Sequence, residues 1–148
     1  MDNSAIALVS ALASVVCAII SGISAYLSYY YKRSDDKADL GRELNRILEI
    51  CVQYPHFEYP PFTNDWLNHR GADNEIYLRY DTYCNLIYNY LYHVYKYYGG
   101  KKEKIEQYID VRNWIRLHKQ NWQHPTDANE NIDAYDEEFR QFINSYLQ

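Results

Sequence analysis

Cysteine is scarce in this chain, and its side chains match no familiar catalytic or metal-binding motif. The three cysteines, Cys17, Cys51 and Cys84, form no CxxC pair and lack the spacing to histidine that a zinc site needs. We interpret them as small apolar side chains in a reducing compartment. The GxGxxG, P-loop, HExxH and GxSxG motifs are also missing. The sequence therefore predicts a protein with no metal, no cofactor and no enzymatic activity.

Basic residues are fewer than acidic ones, since the chain has 15 lysines and arginines and 20 aspartates and glutamates. The formal net charge of −5 argues against a protein that coats nucleic acid, because such proteins are basic. The charges are unevenly placed, and residues 5–31 contain none. This uneven placement sets one segment apart from the rest of the chain.

The uncharged segment 5–31 is predicted to be a transmembrane helix within a membrane segment 1–31. A helix needs about 20 residues to cross the hydrocarbon core of a bilayer, and this segment is longer. It ends in four tyrosines typical of the headgroup layer, and Lys32 and Arg33 follow at once. The positive-inside rule therefore predicts an N-terminus outside and a domain on the cytoplasmic side of the inner membrane. A cleaved secretory signal fits less well, because a basic n-region is missing and the apolar run is too long.

Small side chains follow one face of the predicted membrane helix. They recur at alternating steps of three and four residues, which is the spacing of heptad positions a and d. Small residues let helices approach closely, and serine hydroxyls form hydrogen bonds across such contacts. The stripe predicts self-association, either through a tight dry seam or around a serine-lined pore made by four or more copies. The predicted pore-lining residues, here called the small-residue stripe, are Ser10, Ser14, Cys17, Ser21, Ser24 and Ser28, and Ala7 precedes them at the same spacing.

Residues 40–148 are predicted to form a three- or four-helix bundle, joined to the membrane segment by a charged joint, 32–39. Apolar residues recur with helical spacing, and no stretch alternates with the period of a strand. The charged joint either continues the membrane helix or forms a brief link in which Asp39 could cap the next helix. Prolines and aromatic residues indicate an ordered loop over 54–74. The chain is therefore predicted to be all-α. The predicted helices of this domain cover about 40–53, 74–98, 102–122 and 132–147.

A basic face on the third predicted helix is a candidate ligand site. Arg112, Arg116 and Lys119 have i, i+4 and i+7 spacing, which places them on one side of a helix. Convergent cations suit a ligand with several phosphates, and aromatic rings near Arg79 on the second helix suit stacking on bases. The predicted ligand-binding residues are therefore Arg79, Arg112, Arg116 and Lys119. The structural alternative is a solvated basic face with its tryptophans in the core.

The layout of the chain resembles the small membrane effectors of bacterial anti-phage defence, in particular the channel-forming effector of the Hailong system. The likeness lies in the serine-striped span 5–31, the charged joint 32–39 and the aromatic helical domain ending in EEFRQFINSYL. The resemblance implies an oligomeric ion channel, a tetramer, that is controlled by a deoxyadenylate oligomer. It assigns no binding residue, because no family motif is matched position by position.

These observations favour a homo-oligomeric membrane channel, surrounded by lipid and gated by an oligonucleotide or cyclic nucleotide on its cytoplasmic domain. The alternative is a single-pass anchor or scaffold that holds a helical interaction domain at the membrane. The serines separate the two hypotheses, because a pore needs the stripe to face a lumen whereas an anchor needs only hydrophobic length.

Overall fold

The computed structural model describes residues 3–70 and 75–148, and this part of the chain contains eight α-helices, one 3₁₀ turn and no strand. The predicted all-α class and the apolar N-terminal helix are confirmed. The 3₁₀ turn covers Pro55–Glu58. The helices are α1 (Asn3–Gln53), α2 (Pro60–His69), α3 (Glu75–Tyr97), α4 (Lys102–Tyr108), α5 (Val111–Leu117), α6 (Lys119–Gln123), α7 (Glu130–Ala134) and α8 (Glu137–Asn144).

The chain divides into two compact units, Met1–Asp39 and Leu40–Gln148. Helix α1 contributes its first part to the first unit and its last part to the second. The charged joint is helical throughout, so of the two alternatives it continues the helix, and Asp39 does not cap a new one. The joint contains neither glycine nor proline, and Asp36 follows Lys32 at the i, i+4 spacing that stabilises a helix.

In the first unit, α1 is long and apolar enough to cross a membrane by its length and composition. No residue of the 18-residue window that meets this criterion is buried. Leu12, Ile19 and Ile23 are 55–58% exposed, and an apolar surface of this kind suits lipid better than water. Asp2 and the side chain of Ala7 lie outside the described residues.

Helix α3 runs through the core of the second unit, and its buried side chains are largely aromatic. Tyrosine hydroxyls in a core need hydrogen-bond partners. The Tyr88 hydroxyl donates to the His118 carbonyl at 3.0 Å, and the Tyr135 hydroxyl donates to Asn89 Oδ1 at 2.9 Å. Much of the tyrosine-rich sequence thus forms core. Other buried residues are Leu40 and Ile47 of α1, Trp66 of α2, Ile105 of α4, Ile115 of α5, Trp122 of α6, and Phe139 and Ile143 of α8.

The segment predicted as a loop over 54–74 is largely helical in its described part, since it contains the 3₁₀ turn and α2. Pro55 and Pro60 stand at the first positions of these two elements. Proline is favoured there because its fixed φ suits a helix and its missing N–H has no intrahelical partner to lose. These prolines therefore begin helices, and Asn74, the predicted start of the next helix, lies outside the described residues.

The helix predicted over 102–122 is divided into α4, α5 and α6. Asp110 separates the first two, and its side chain accepts a hydrogen bond from the Asn113 backbone N–H at 3.3 Å. This is an N-cap contact, which starts a new helix and competes with continuation of the old one. His118 separates α5 from α6 with φ −99° and ψ 14°.

The helix predicted over 132–147 is divided in the same way, into α7 and α8. Asp136 caps α8, because its side chain accepts a hydrogen bond from the Phe139 backbone N–H at 3.0 Å. The predicted stop after α3 is confirmed, since Gly99 and Gly100 adopt φ values of 61° and 71°. Glycine reaches these left-handed conformations without a steric penalty.

Candidate functional sites

The small-residue stripe lies on one face of α1, because α1 is helical throughout its length and the stripe keeps helical spacing. All six of its side chains are exposed. The Ser14 hydroxyl donates to the Ser10 carbonyl at 2.9 Å, so this donor is satisfied within the helix. Its oxygen still has acceptor capacity directed away from that bond. The role of the stripe as a pore lining stays a prediction.

Aromatic and basic side chains follow the apolar part of α1. Tyr30 and Tyr31 are 61% and 64% exposed, and their rings meet edge to face with centroids 6.3 Å apart. Arg33 Nη1 donates to the Tyr29 hydroxyl at 3.0 Å. A pairing of amphipathic rings with a cation is typical of the headgroup layer of a membrane.

Two of the predicted ligand-binding residues, Arg112 and Arg116, lie on α5 and meet the C-terminal segment. Arg112 Nη2 is 3.6 Å from Glu106 Oε1, and Arg116 Nε donates to the Tyr146 carbonyl at 3.2 Å. The Tyr146 hydroxyl donates to Glu106 Oε1 at 3.1 Å. Lys102 Nζ lies 4.2 Å from the centroid of the Tyr146 ring. These five residues are here called the Tyr146 cluster; Arg112 is the cation beside the Glu106 carboxylate, whereas Arg116 and Lys102 contact Tyr146.

The surroundings of the Tyr146 cluster are open to solvent. Arg112 and Arg116 are both exposed, and a groove of about 400 Å³ runs beside Arg112 along residues 106–113. Burial and the neighbouring Glu106 raise the pKa of the Tyr146 hydroxyl, which therefore remains a hydrogen-bond donor. An anion that enters this groove meets the Arg112 guanidinium, with Glu106 and Asp110 also in the lining.

The structure does not place all four predicted ligand-binding residues together. Lys119 is exposed on α6, beyond the helix break at His118, so it does not continue the face of α5. Arg79 lies on α3 and contacts neither Arg112 nor Arg116 among the residues that the structure describes. The ligand-binding role of these residues stays a prediction.

Arg79 instead contacts residues near the end of α1 and in its own helix. Its Nη1 donates to the Tyr54 hydroxyl at 2.6 Å, and its Nε donates to Glu75 Oε1 at 3.0 Å. The guanidinium carbon lies 5.5 Å from the Tyr54 ring centroid, a cation–π distance. Tyr80 and Tyr83 of α3 are buried, so these rings are core rather than a surface for stacking on bases.

Sequence reasoning missed a buried polar network around His118, whose side chain is 0% exposed. The Tyr80 hydroxyl and His118 Nδ1 share a hydrogen bond of 2.9 Å. On the other side of the ring, Nε2 lies 3.3 Å from Glu58 Oε1 but is not aligned for a hydrogen bond. The same oxygen accepts a hydrogen bond from the Tyr83 hydroxyl, and Cys51 Sγ lies 2.9 Å from that hydroxyl.

The electrostatics of this network keep Glu58 ionised. Burial by itself raises the pKa of this carboxyl group, but His118 and the Tyr83 hydroxyl outweigh burial, and the net pKa is lowered. Burial raises the pKa of Tyr80 and Tyr83 far above the usual range. Both tyrosines therefore stay protonated. The network joins α1, the 3₁₀ turn, α3 and the α5–α6 break, which indicates a structural role.

The described residues include no group of three or more histidines, cysteines, aspartates or glutamates that could hold a metal ion. Comparisons with protein-family models, curated proteins and solved structures find no match to this chain.

Proposed function

We propose that this chain forms a homo-oligomeric membrane channel, with α1 as the pore helix and the second unit as a ligand-sensing domain. The observation that carries the proposal is the small-residue stripe, unbroken from Ser10 to Ser28 on an exposed apolar helix. Lys32 and Arg33 directly after the apolar run support a cytoplasmic position for the second unit at the inner membrane. Opening of such a channel depolarises the cell, which agrees with the role in anti-phage defence that the resemblance implies.

The chemistry of the bilayer supports a lumen on the side of the stripe. Serine hydroxyls gain little from contact with lipid chains, whereas isoleucine, leucine and valine are favoured there. In a bundle of parallel helices, positions a and d point toward the axis. Four or more copies of α1 would then surround a narrow lumen with successive rings of serine, which offer oxygen atoms to water and ions.

The Tyr146 cluster is the proposed ligand surface of the second unit. It combines the cations Lys102, Arg112 and Arg116 with Tyr146 and a single carboxylate, that of Glu106, in a chain of net charge −5. A phosphate group is a stronger partner for a guanidinium than a distant carboxylate at 3.6 Å, so an oligonucleotide or cyclic nucleotide would compete with Glu106 for Arg112. Lys119, which lies beyond the helix break at His118, and Arg79 on α3 are not included in this proposed surface.

Conductance of reconstituted protein tests the pore. Ser14→Leu together with Ser21→Leu places bulky apolar groups on the stripe, and we expect at least a tenfold loss of conductance through dewetting of the lumen. Insertion into the membrane is retained, because leucine is favoured there. The matched control is Ile19→Leu with Ile23→Leu on the opposite face, which should change conductance little. Equal conductance in both variants contradicts the lumen assignment.

Binding of a fluorescent single-stranded DNA oligonucleotide tests the ligand surface. Arg112→Ala with Arg116→Ala removes two proposed phosphate contacts, so we expect weaker binding. The slope of log affinity against log salt concentration should also become less negative by about 1.4. Lys37→Ala with Arg42→Ala, which removes the same charge from α1, is the control. Unchanged affinity in the α5 variant would mean that the Tyr146 cluster is not the site.

A second candidate function is a single-pass anchor for the helical domain. It is favoured by the hydrogen bond from Ser14 to the Ser10 carbonyl, because a serine that is satisfied within its own helix tolerates lipid. The anchor hypothesis predicts no conductance in the parent protein with any ligand. It also predicts that the serine substitutions leave membrane insertion unchanged.

A further inference from the structure

A long apolar groove lies between the last turns of α1 and helix α3, both within the second unit. It consists of two adjoining parts with volumes of about 510 and 390 Å³, which share Ile50 and Leu86. On the α3 side, Leu78, Thr82 and Leu86 follow one another at four-residue steps and so share a face. Leu78 is 60% exposed and Leu86 is 43% exposed. Exposed leucines in a concave surface are typical of a site that another surface covers.

The charges at the two ends of the groove are balanced. One end carries Glu43 and Arg46 of α1, and Glu43 pairs with His93 of α3 at 3.0 Å. The other end carries Glu75 and Arg79, which form an ion pair. The two glutamates and two arginines sum to zero formal charge, so an identical face can approach without net repulsion. A partner of strong single charge, such as nucleic acid, finds no complementary field here.

The size of the groove fits a contact between two copies. From Glu75 to His93, α3 extends about 27 Å, and two adjacent helices present a face at most about 20 Å wide. The face then covers at most about 540 Å² per copy, or at most about 1,100 Å² when two copies pair. A specific protein contact needs about 1,000 Å² in total, so only a nearly complete pairing of two grooves reaches this size.

We propose that a second copy of this chain covers the groove, with each copy presenting its own α1–α3 face in a two-fold contact. The proposal rests on the self-association that the channel requires, and it adds a specific surface in the second unit. Leu86, which belongs to both parts of the groove, lies near the middle of the face. A two-fold contact therefore brings the two Leu86 side chains close together.

Cross-linking of the full-length protein in lipid nanodiscs tests this contact. A bis-maleimide with a short spacer is applied to Leu86→Cys, to Ile132→Cys and to the parent, whose native cysteines set the background. Ile132 is the matched control, because it is an apolar residue of α7 that is 54% exposed. We expect a cross-linked dimer of Leu86→Cys at least five times more abundant than that of either comparison protein.

Other results overturn the proposal in distinguishable ways. An oligomeric, conducting Leu86→Cys protein without a dimer band shows that the groove contact is wrong while the channel stands. Slow labelling of Leu86→Cys by a monofunctional maleimide, again without cross-linking, shows that something other than a second copy covers the groove. A monomeric parent without conductance removes the groove contact and the proposed function together.

Discussion

The two units of this chain differ in what surrounds their apolar side chains. Ile19 in the first unit is 57% exposed, whereas Ile115 in the second unit is 0% exposed. The second unit buries a core with its own helices and supplies hydrogen-bond partners to many of its buried hydroxyl groups. Among the described residues, the first unit buries no side chain. The apolar surface of its helix suits lipid better than water, whereas the core of the second unit lies within one chain.

The largest expected effect concerns the apolar surface of the first unit. Ile19→Asp with Ile23→Asp should prevent stable membrane insertion, because each carboxylate near the helix centre costs about 3 kcal/mol. The measurement is the fraction of protein that stays with membranes after carbonate extraction. Val52→Asp is the control, since Val52 also lies on α1, in the second unit, and is 83% exposed. Retention of the double variant in membranes would contradict the claim that the apolar surface of the first unit inserts into lipid.

A core substitution in the second unit should have the opposite signature, with loss of folding stability and normal membrane association. Phe139 is 0% exposed and packs against Tyr92, Tyr95 and Tyr135. Phe139→Ala should lower the free energy of unfolding by about 3–5 kcal/mol, measured by chemical denaturation. Ile132→Ala at an exposed site should change it by less than about 0.5 kcal/mol. Similar losses in both variants would argue against the described core.

The buried network should contribute a smaller, pH-dependent amount. Glu58→Gln replaces an acceptor of the Tyr83 hydroxyl with a weaker one, and we expect a loss of about 1–3 kcal/mol at neutral pH. The folded-state pKa of Glu58 is below its usual 4.5, so its contribution is complete above pH 4.5 and disappears as the pH falls through the folded-state pKa. The difference between parent and variant should therefore shrink in acid. Glu103→Gln on exposed α4 is the control, and a pH-independent difference would contradict the assignment.

The smallest effect is expected at the start of α8. Asp136 caps this helix and also accepts hydrogen bonds from Lys96 and from the Tyr92 hydroxyl. Asp136→Ala should cost about 1 kcal/mol, up to about 2, in thermal or chemical unfolding. Glu138→Ala in the first turn of the same helix should cost less, because Glu138 makes no cap. Equal losses would show that charge near the helix start, rather than the cap, is what matters.

The parts of the fold that follow from local sequence could be predicted. The apolar run of α1 is uninterrupted, and the end of α3 is fixed by the glycine pair at Gly99 and Gly100. Other boundaries depend on side chains that have two possible roles. Pro55 and Pro60 lie in a predicted loop but begin helical elements in the structure. Asp110 looks like an ordinary helix-surface residue until its cap contact is seen.

The candidate sites could be predicted less completely, because they depend on residues distant in the chain. The spacing of Arg112 and Arg116 indicates a shared face, but the contacts of Arg116 with Tyr146 and of Arg112 with Glu106 come from packing. Glu58 and His118 carry no motif that connects them. His118 lies within a segment predicted as one continuous helix, and Glu58 lies three residues after Pro55, so neither residue has a local signal that indicates its partner.

The native Cys17 allows the most direct test of the channel, because it belongs to the small-residue stripe and needs no substitution. A charged methanethiosulfonate reagent reacts with thiolate, which forms in water and not in a dry helix seam or in lipid. We predict that the reagent modifies Cys17 and blocks the conductance of the reconstituted parent protein, and that Cys17→Ser conducts but is not blocked. A conducting parent with unmodified Cys17, or one that is modified without block, would contradict the assignment of this face to the lumen.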